Sequence, residues 1–160
     1  MQLFWNTGGG QRLFEPVTEA DAGKDLFVPL VGRGSAYLDY NGDGSLDVVL
    51  TANDGEARLL RNDNGLKHHW VRLTLDGDGK RSNRSAIGAQ ITVEAGGKTL
   101  RRQVAGARGY LSQSELPVTF GLGKETKVDK VTVRWPGKNG GETVLTDVKV
   151  DAVQTVVQGK

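Results

Sequence analysis

No cysteine occurs in these 160 residues. Disulfides are therefore excluded, and the redox compartment leaves no trace in the sequence. Histidine is almost as scarce, represented by the neighbours His68 and His69. Adjacent residues on a strand face opposite sides, so the pair cannot share one ion, and no third His or Cys completes a zinc or copper site. The expected role of both is a surface or hydrogen-bonded one. With no Gly-x-Ser-x-Gly elbow and only this region to supply a base, a hydrolytic triad has no support, and no catalytic residue is assigned. Charge of one sign is lacking too. Twenty-one basic and 19 acidic residues leave a formal charge of +2, which gives no general field for nucleic acid. No apolar run approaches the roughly 18–20 residues that span a bilayer. Met1-Gln2-Leu3-Phe4-Trp5-Asn6 has neither a basic n-region nor a long apolar h-region, so no signal peptide is visible. The expectation is a piece of a longer chain, because Leu3-Phe4-Trp5-Asn6-Thr7-Gly8-Gly9 echoes Leu59-Leu60-Arg61-Asn62-Asp63-Asn64-Gly65.

What is present is glycine, 23 residues of it, and 37% hydrophobic content with a single Met. That mixture points to many short strands joined by glycine turns. The stretch that stands out is Asp39-Tyr40-Asn41-Gly42-Asp43-Gly44-Ser45-Leu46-Asp47. Oxygen-bearing side chains fall on alternate positions at Asp39, Asn41, Asp43 and Asp47, and Ser45 stands where a backbone carbonyl would be the ligand. A hard cation such as Ca²⁺ takes about six to eight such oxygens. Gly42 and Gly44 permit the positive φ that a chain wrapped around an ion requires. An EF-hand is excluded: its twelfth position would be Leu50, where a bidentate Glu belongs, and the flanking runs read as strands. Three carboxylates and an amide at one point would repel without a cation, so the metal-ligand expectation is Asp39, Asn41, Asp43, Ser45 and Asp47 around Ca²⁺. The bland alternative is a polar Asn-Gly/Asp-Gly turn that binds nothing.

Gly34-Ser35-Ala36-Tyr37-Leu38-Asp39, this loop and Leu46-Asp47-Val48-Val49 together resemble one FG-GAP (VCBS-type) blade of a calcium-binding β-propeller. The chain after it resembles the ASPIC/UnbV domain, which follows such blades in the cartilage acidic protein family and in many bacterial secreted proteins. The matching words are Leu60-Arg61-Asn62-Asp63, His69-Trp70-Val71-Arg72-Leu73, Ser82-Asn83-Arg84-Ser85-Ala86-Ile87-Gly88-Ala89, Gly109-Tyr110-Leu111-Ser112-Gln113-Ser114, Phe120-Gly121-Leu122-Gly123 and Val131-Thr132-Val133-Arg134-Trp135-Pro136. The resemblance brings no well-defined biochemical activity with it.

The predicted fold is all-β: a partial β-propeller blade unit over residues 1–62, joined through a polar stretch at 63–67 to an antiparallel β-sandwich or barrel over 68–158. Leu3–Trp5 and Leu13–Val17 read as a hairpin with Pro16 at its end or edge. Thr18–Gly23 reads as a short helical turn. Strands near 35–39, 46–51 and 57–61 flank the acidic loop and the Asn53–Glu56 turn. Only one metal loop is present, so this chain alone cannot make a complete propeller. Beyond residue 68 the period is two, with six or seven strands. Val71, Leu73 and Leu75 point one way while Trp70, Arg72 and Thr74 point the other. A hairpin turns at Gly96-Gly97, and Trp135 joins Val131 and Val133 in the core.

Trp70, beside Arg72, is placed either to stack on a sugar or to pack against the blade and seal the joint. Gly109–Glu115 holds Tyr110, Gln113 and Glu115 for polar recognition, or simply crosses between sheets. Asp78–Ser85, with Arg101, Arg102 and Arg108, is a patch for acidic glycans or a solvated loop. No aromatics interleave with those charges, which counts against single-stranded nucleic acid. Asp76 and Asp78 supply too few ligands for a second calcium site. These readings combine into a non-catalytic extracellular or periplasmic calcium-binding adhesion or ligand-binding module, with a glycan or protein as partner. The alternative is a carbohydrate-binding accessory module or a polysaccharide-active enzyme fragment.

Overall fold

A computed structural model describes residues 2–9, 11–63 and 67–159. β1 (Phe4–Asn6) and β2 (Phe14–Pro16) form an antiparallel hairpin. Pro16 closes the second strand, where its missing N–H interrupts no ladder. The four-residue helix α1 (Glu19–Ala22) follows, and the backbone N–H of Thr18 donates to the Asp21 carboxylate at 3.0 Å. After a 3-10 turn at Lys24–Phe27, β3 (Gly32–Leu38), β4 (Asp47–Ala52) and β5 (Arg58–Leu60) make a three-stranded antiparallel meander. The acidic loop is the β3–β4 connection. Asp54, at φ 55, makes the next turn. Of the polar stretch at 63–67, Asn64, Gly65 and Leu66 lie outside the described residues.

The remainder comprises β6 (His69–Asp76), β7 (Gln90–Ala95), β8 (Lys98–Gln103), β9 (Ala107–Gly109), β10 (Ser112–Gln113), β11 (Val118–Gly123), β12 (Lys130–Arg134), β13 (Glu142–Leu145) and β14 (Ala152–Val157). Two sheets, ordered β11-β6-β14 and β13-β12-β7-β8, share one core, and no barrel closes. Alternation dictates which residues enter it. Val71, Leu73 and Phe120 come from the first sheet; Ile91, Val93, Val131 and Val133 come from the second. Each such side chain contributes about 1.5–3 kcal/mol by leaving water. Trp135 is buried with them, and its indole N–H donates to Thr143 Oγ1 at 2.8 Å. Gly96 and Gly97, at φ 55 and 73, form the expected two-residue turn of the β7–β8 hairpin.

Two features depart from the expectation. Among the described residues nine strands follow residue 68 rather than six or seven, the extra pair being the short β9 and β10. The ladder is also not wholly antiparallel, because β14 runs parallel to β6 from Ala152↔Val71 to Val157↔Asp76. The reason is connectivity. β14 arrives from β13 in the opposite sheet rather than through a tight turn from β6, and only tight hairpins impose antiparallel pairing.

A candidate cation loop clamped by an arginine

The β3–β4 loop is shaped by its own carboxylates. Asp39 Oδ1 accepts the N–H groups of Gly42 at 2.8 Å and Asp43 at 3.1 Å, and Oδ2 accepts that of Gly44 at 2.9 Å. Gly42 and Gly44 adopt φ 76 and 89, which other L-residues resist. Asp43 Oδ1 accepts Ser45 N–H at 2.8 Å, and its Oδ2 accepts the Asn41 side-chain amide at 2.7 Å. The Ser45 N–H, with further help from Asn41, holds the Asp43 carboxyl below the usual range although burial opposes it. Asp47 is fully buried. It receives Asn62 N–H at 2.8 Å and Tyr40 N–H at 3.2 Å, tying the loop to the end of β5.

The counter-charge comes from the sandwich. Arg72 of β6 donates through Nη1 to Asp39 Oδ2 at 3.0 Å and through Nη2 to Glu115 Oε2. All three side chains are largely shielded, Asp39 at 2% exposure, Arg72 at 9% and Glu115 at 13%. Glu115 Oε2 also accepts Asp39 N–H at 3.2 Å, and Ser114 Oγ accepts Tyr37 N–H at 3.1 Å. Glu115 N–H donates to Tyr37 O at 3.2 Å. The segment after β10 thus runs beside the end of β3. The premise that only a bound ion prevents repulsion in this loop is corrected here: one guanidinium and a set of backbone N–H groups already offset the charge.

The fit to calcium is one of donor type. The loop brings three carboxylates, the Asn41 amide and the Ser45 carbonyl, all hard oxygens of the kind calcium takes. Among the described residues, however, no three His, Cys, Asp or Glu side chains stand close enough together to hold a metal. The loop has the ligands without their convergence.

Trp70 lies over this loop: a Cβ at Gly44 would overlap its indole ring. Its ring is therefore committed to the seam, and Arg72 beside it is buried in ion pairs rather than presented outward. Alternation did put both on the polar face of β6, and that face is covered by the β3–β4 loop. Tyr110 and Gln113 are elsewhere. They belong to the β9–β10 hairpin, which packs on β3 through Ser112 against Gly34 and leaves Tyr110 67% exposed at its tip. The structure brings neither to the loop. Arg108, from the same hairpin, lies 5.9 Å from the Tyr37 ring centroid. His69 pairs through Nδ1 with Asp151 Oδ2 at 2.7 Å, and this hydrogen bond lowers the Asp151 carboxyl. Asp78 organises its own loop. It receives the N–H groups of Lys80 and Arg81, and the Arg81 guanidinium drives its carboxyl far below the usual range. Ser114 and Asn62 are partners that sequence reasoning left without a part, and Glu115, grouped there with Tyr110 and Gln113 for polar recognition, pairs instead with Arg72. A carboxylate following a polar run, opposite an Arg embedded among apolar residues, was the available signal.

A family model described as ASPIC and UnbV matches residues 79–160, just over half of the chain. Cartilage acidic protein 1 of Homo sapiens and that of Mus musculus are each 30% identical over 154 residues, covering 93% of this chain and 22% of theirs. The Xenopus tropicalis protein of the same name is 32% identical over 108 residues, 66% of this chain and 16% of its own. The chain thus spans about a fifth of the length of these curated relatives.

Proposed function

Since this chain belongs to the ASPIC and UnbV family, we propose that it is a non-catalytic extracellular binding module in which the Asp39–Asp47 loop takes calcium. Residues 32–60 are read as an FG-GAP/VCBS-type blade. This is supported by the antiparallel β3-β4-β5 meander and by the acidic loop between its first two strands. Asp39, Asn41, Asp43 and Asp47 would hold the ion with their side chains and Ser45 with its carbonyl; when bound it supplies positive charge to the loop. Arg72 and Trp70 fix the loop's outer side against β6, so tightening the loop also tightens the seam. The observation that carries the reading is the loop itself, five hard-oxygen donors on alternate positions with Gly42 and Gly44 at positive φ. No helix among the described residues is long and apolar enough to cross a membrane.

Isothermal titration calorimetry with Ca²⁺ tests this. Extracellular sites of modest rigidity bind at about 10⁻⁴–10⁻³ M, and the heat is expected to vanish in Asp43→Ala. A flat titration of the wild-type protein overturns the calcium assignment.

A further inference from the structure

Between the β3–β4 unit and the sandwich lies a cavity of about 290 Å³. Tyr37, Arg102, Arg108, Glu115, Leu116 and Thr119 are among the residues that line it. Two side-chain atoms in the described structure are buried without any hydrogen-bond partner, Glu115 Oε1 and Thr119 Oγ1, and both residues are among those lining this cavity. Buried polar atoms are almost always paired, so two orphans on residues of one lining mark a place where something else completes them. Glu115 Oε1 can only be completed by a donor, whereas Thr119 Oγ1 can serve a donor or an acceptor.

The charge balance narrows the class. Arg72 divides its charge between Asp39 and Glu115. The cavity lining itself sets two guanidinium groups, Arg102 and Arg108, against the one carboxylate of Glu115. Arg108 spends one nitrogen on Gln103 O at 2.7 Å, and the Arg102 guanidinium has no partner among the described residues. A ligand that fits this lining carries both an anion and hydroxyl donors. Small-ligand sites favour interfaces between units and begin near 300 Å³, which restricts this one to about a single small ring. We propose that this cavity binds a sugar acid. Its carboxylate meets Arg102 and Arg108, and its hydroxyls meet Glu115 Oε1 and Thr119 Oγ1. Planar guanidinium groups suit a carboxylate particularly well. The proposal deepens the binding-module reading by naming a ligand class, and it stands apart from the calcium loop. The shared chemistry has two sources, a free uronate or the terminal unit of an acidic polysaccharide.

The test is calorimetric titration of the wild-type chain with glucuronate, with a glucuronate-terminated oligosaccharide and with glucose, each in calcium and in chelator. A ligand of this size is expected to bind at about 1 mM or tighter. Glucose should bind at least about 10-fold more weakly, because it leaves the arginines unmet. Arg102→Met and Thr119→Val should each weaken glucuronate by about 5- to 10-fold, the worth of one or two hydrogen bonds. Arg101→Met alters the adjacent strand position outside the cavity and should leave binding unchanged. Tighter binding of the oligosaccharide than of glucuronate identifies a chain end as the source; equal binding identifies the free acid. No binding of either acid overturns the proposal. So does glucose binding as well as glucuronate, or Arg101→Met weakening binding as much as Arg102→Met. A separate Ca²⁺ titration of the same samples makes loss of the sugar-acid signal distinguishable from failure of the calcium assignment.

Discussion

Arg72 reaches across 33 residues of sequence to donate to Asp39 Oδ2 at 3.0 Å, with Glu115 on its second nitrogen. One guanidinium thereby joins the acidic loop, the segment after β10 and the central strand of a core sheet. Buried ion pairs contribute little net stability against an apolar replacement of the whole group, yet removing one member strands the others in a dry site. Arg72→Met is therefore expected to lower unfolding free energy by about 3–5 kcal/mol in urea titration. Pairing it with Asp39→Asn and Glu115→Gln should recover part of the loss. A loss below about 1 kcal/mol, the value of an exposed pair, contradicts the clamp.

Gly44 and Trp70 make the second contact of that seam. Gly44→Ala places a methyl in the indole ring's space at φ 89. Backbone strain and overpacking each cost about 1–3 kcal/mol, so about 2–6 kcal/mol is expected in total, with a shift in tryptophan emission. In a Trp70→Ala background the same change should cost only the strain. Equal losses in both backgrounds would show that the ring is not what the methyl meets.

Acid should weaken the fold in a definite direction. Asp43 is lowered chiefly by Ser45 N–H, Asp151 chiefly by His69 and Asp78 chiefly by Arg81. A carboxyl lowered in the folded state contributes stability that is present above its unfolded value near 3.9 and is lost as pH falls through the folded value. Urea midpoints should be level from about pH 7 to 5 and fall between about pH 4 and 2. A midpoint that rises in that lower range contradicts these hydrogen bonds.

Much of this was legible in the chain, for reasons specific to position. The period of two at His69–Leu75 identified the core residues Val71 and Leu73 because each strand there has one dry face. Gly96-Gly97 fixed its turn because two successive positive φ values admit little else. The acidic loop was readable as a β3–β4 connection because apolar, β-branched runs flank it on both sides. What local pattern could not carry was the cover over Trp70 and Arg72. Their face looks solvated until β3 and β4 are folded against it, and then it becomes a seam. The parallel β14–β6 pairing was hidden likewise, since it depends on which sheet the chain leaves after β13. Glu115 was visible as a polar loop residue, but its pairing with Arg72 spans 43 positions and has no local signature.

The most direct measurement is urea unfolding of the wild-type chain in chelator and in Ca²⁺ at about ten times its dissociation constant. A site that binds only the folded state should add about 1.4 kcal/mol at that concentration. The gain should disappear in Asp43→Ala. Identical unfolding curves with calcium and with chelator would contradict the assignment of the Asp39–Asp47 loop as a calcium site.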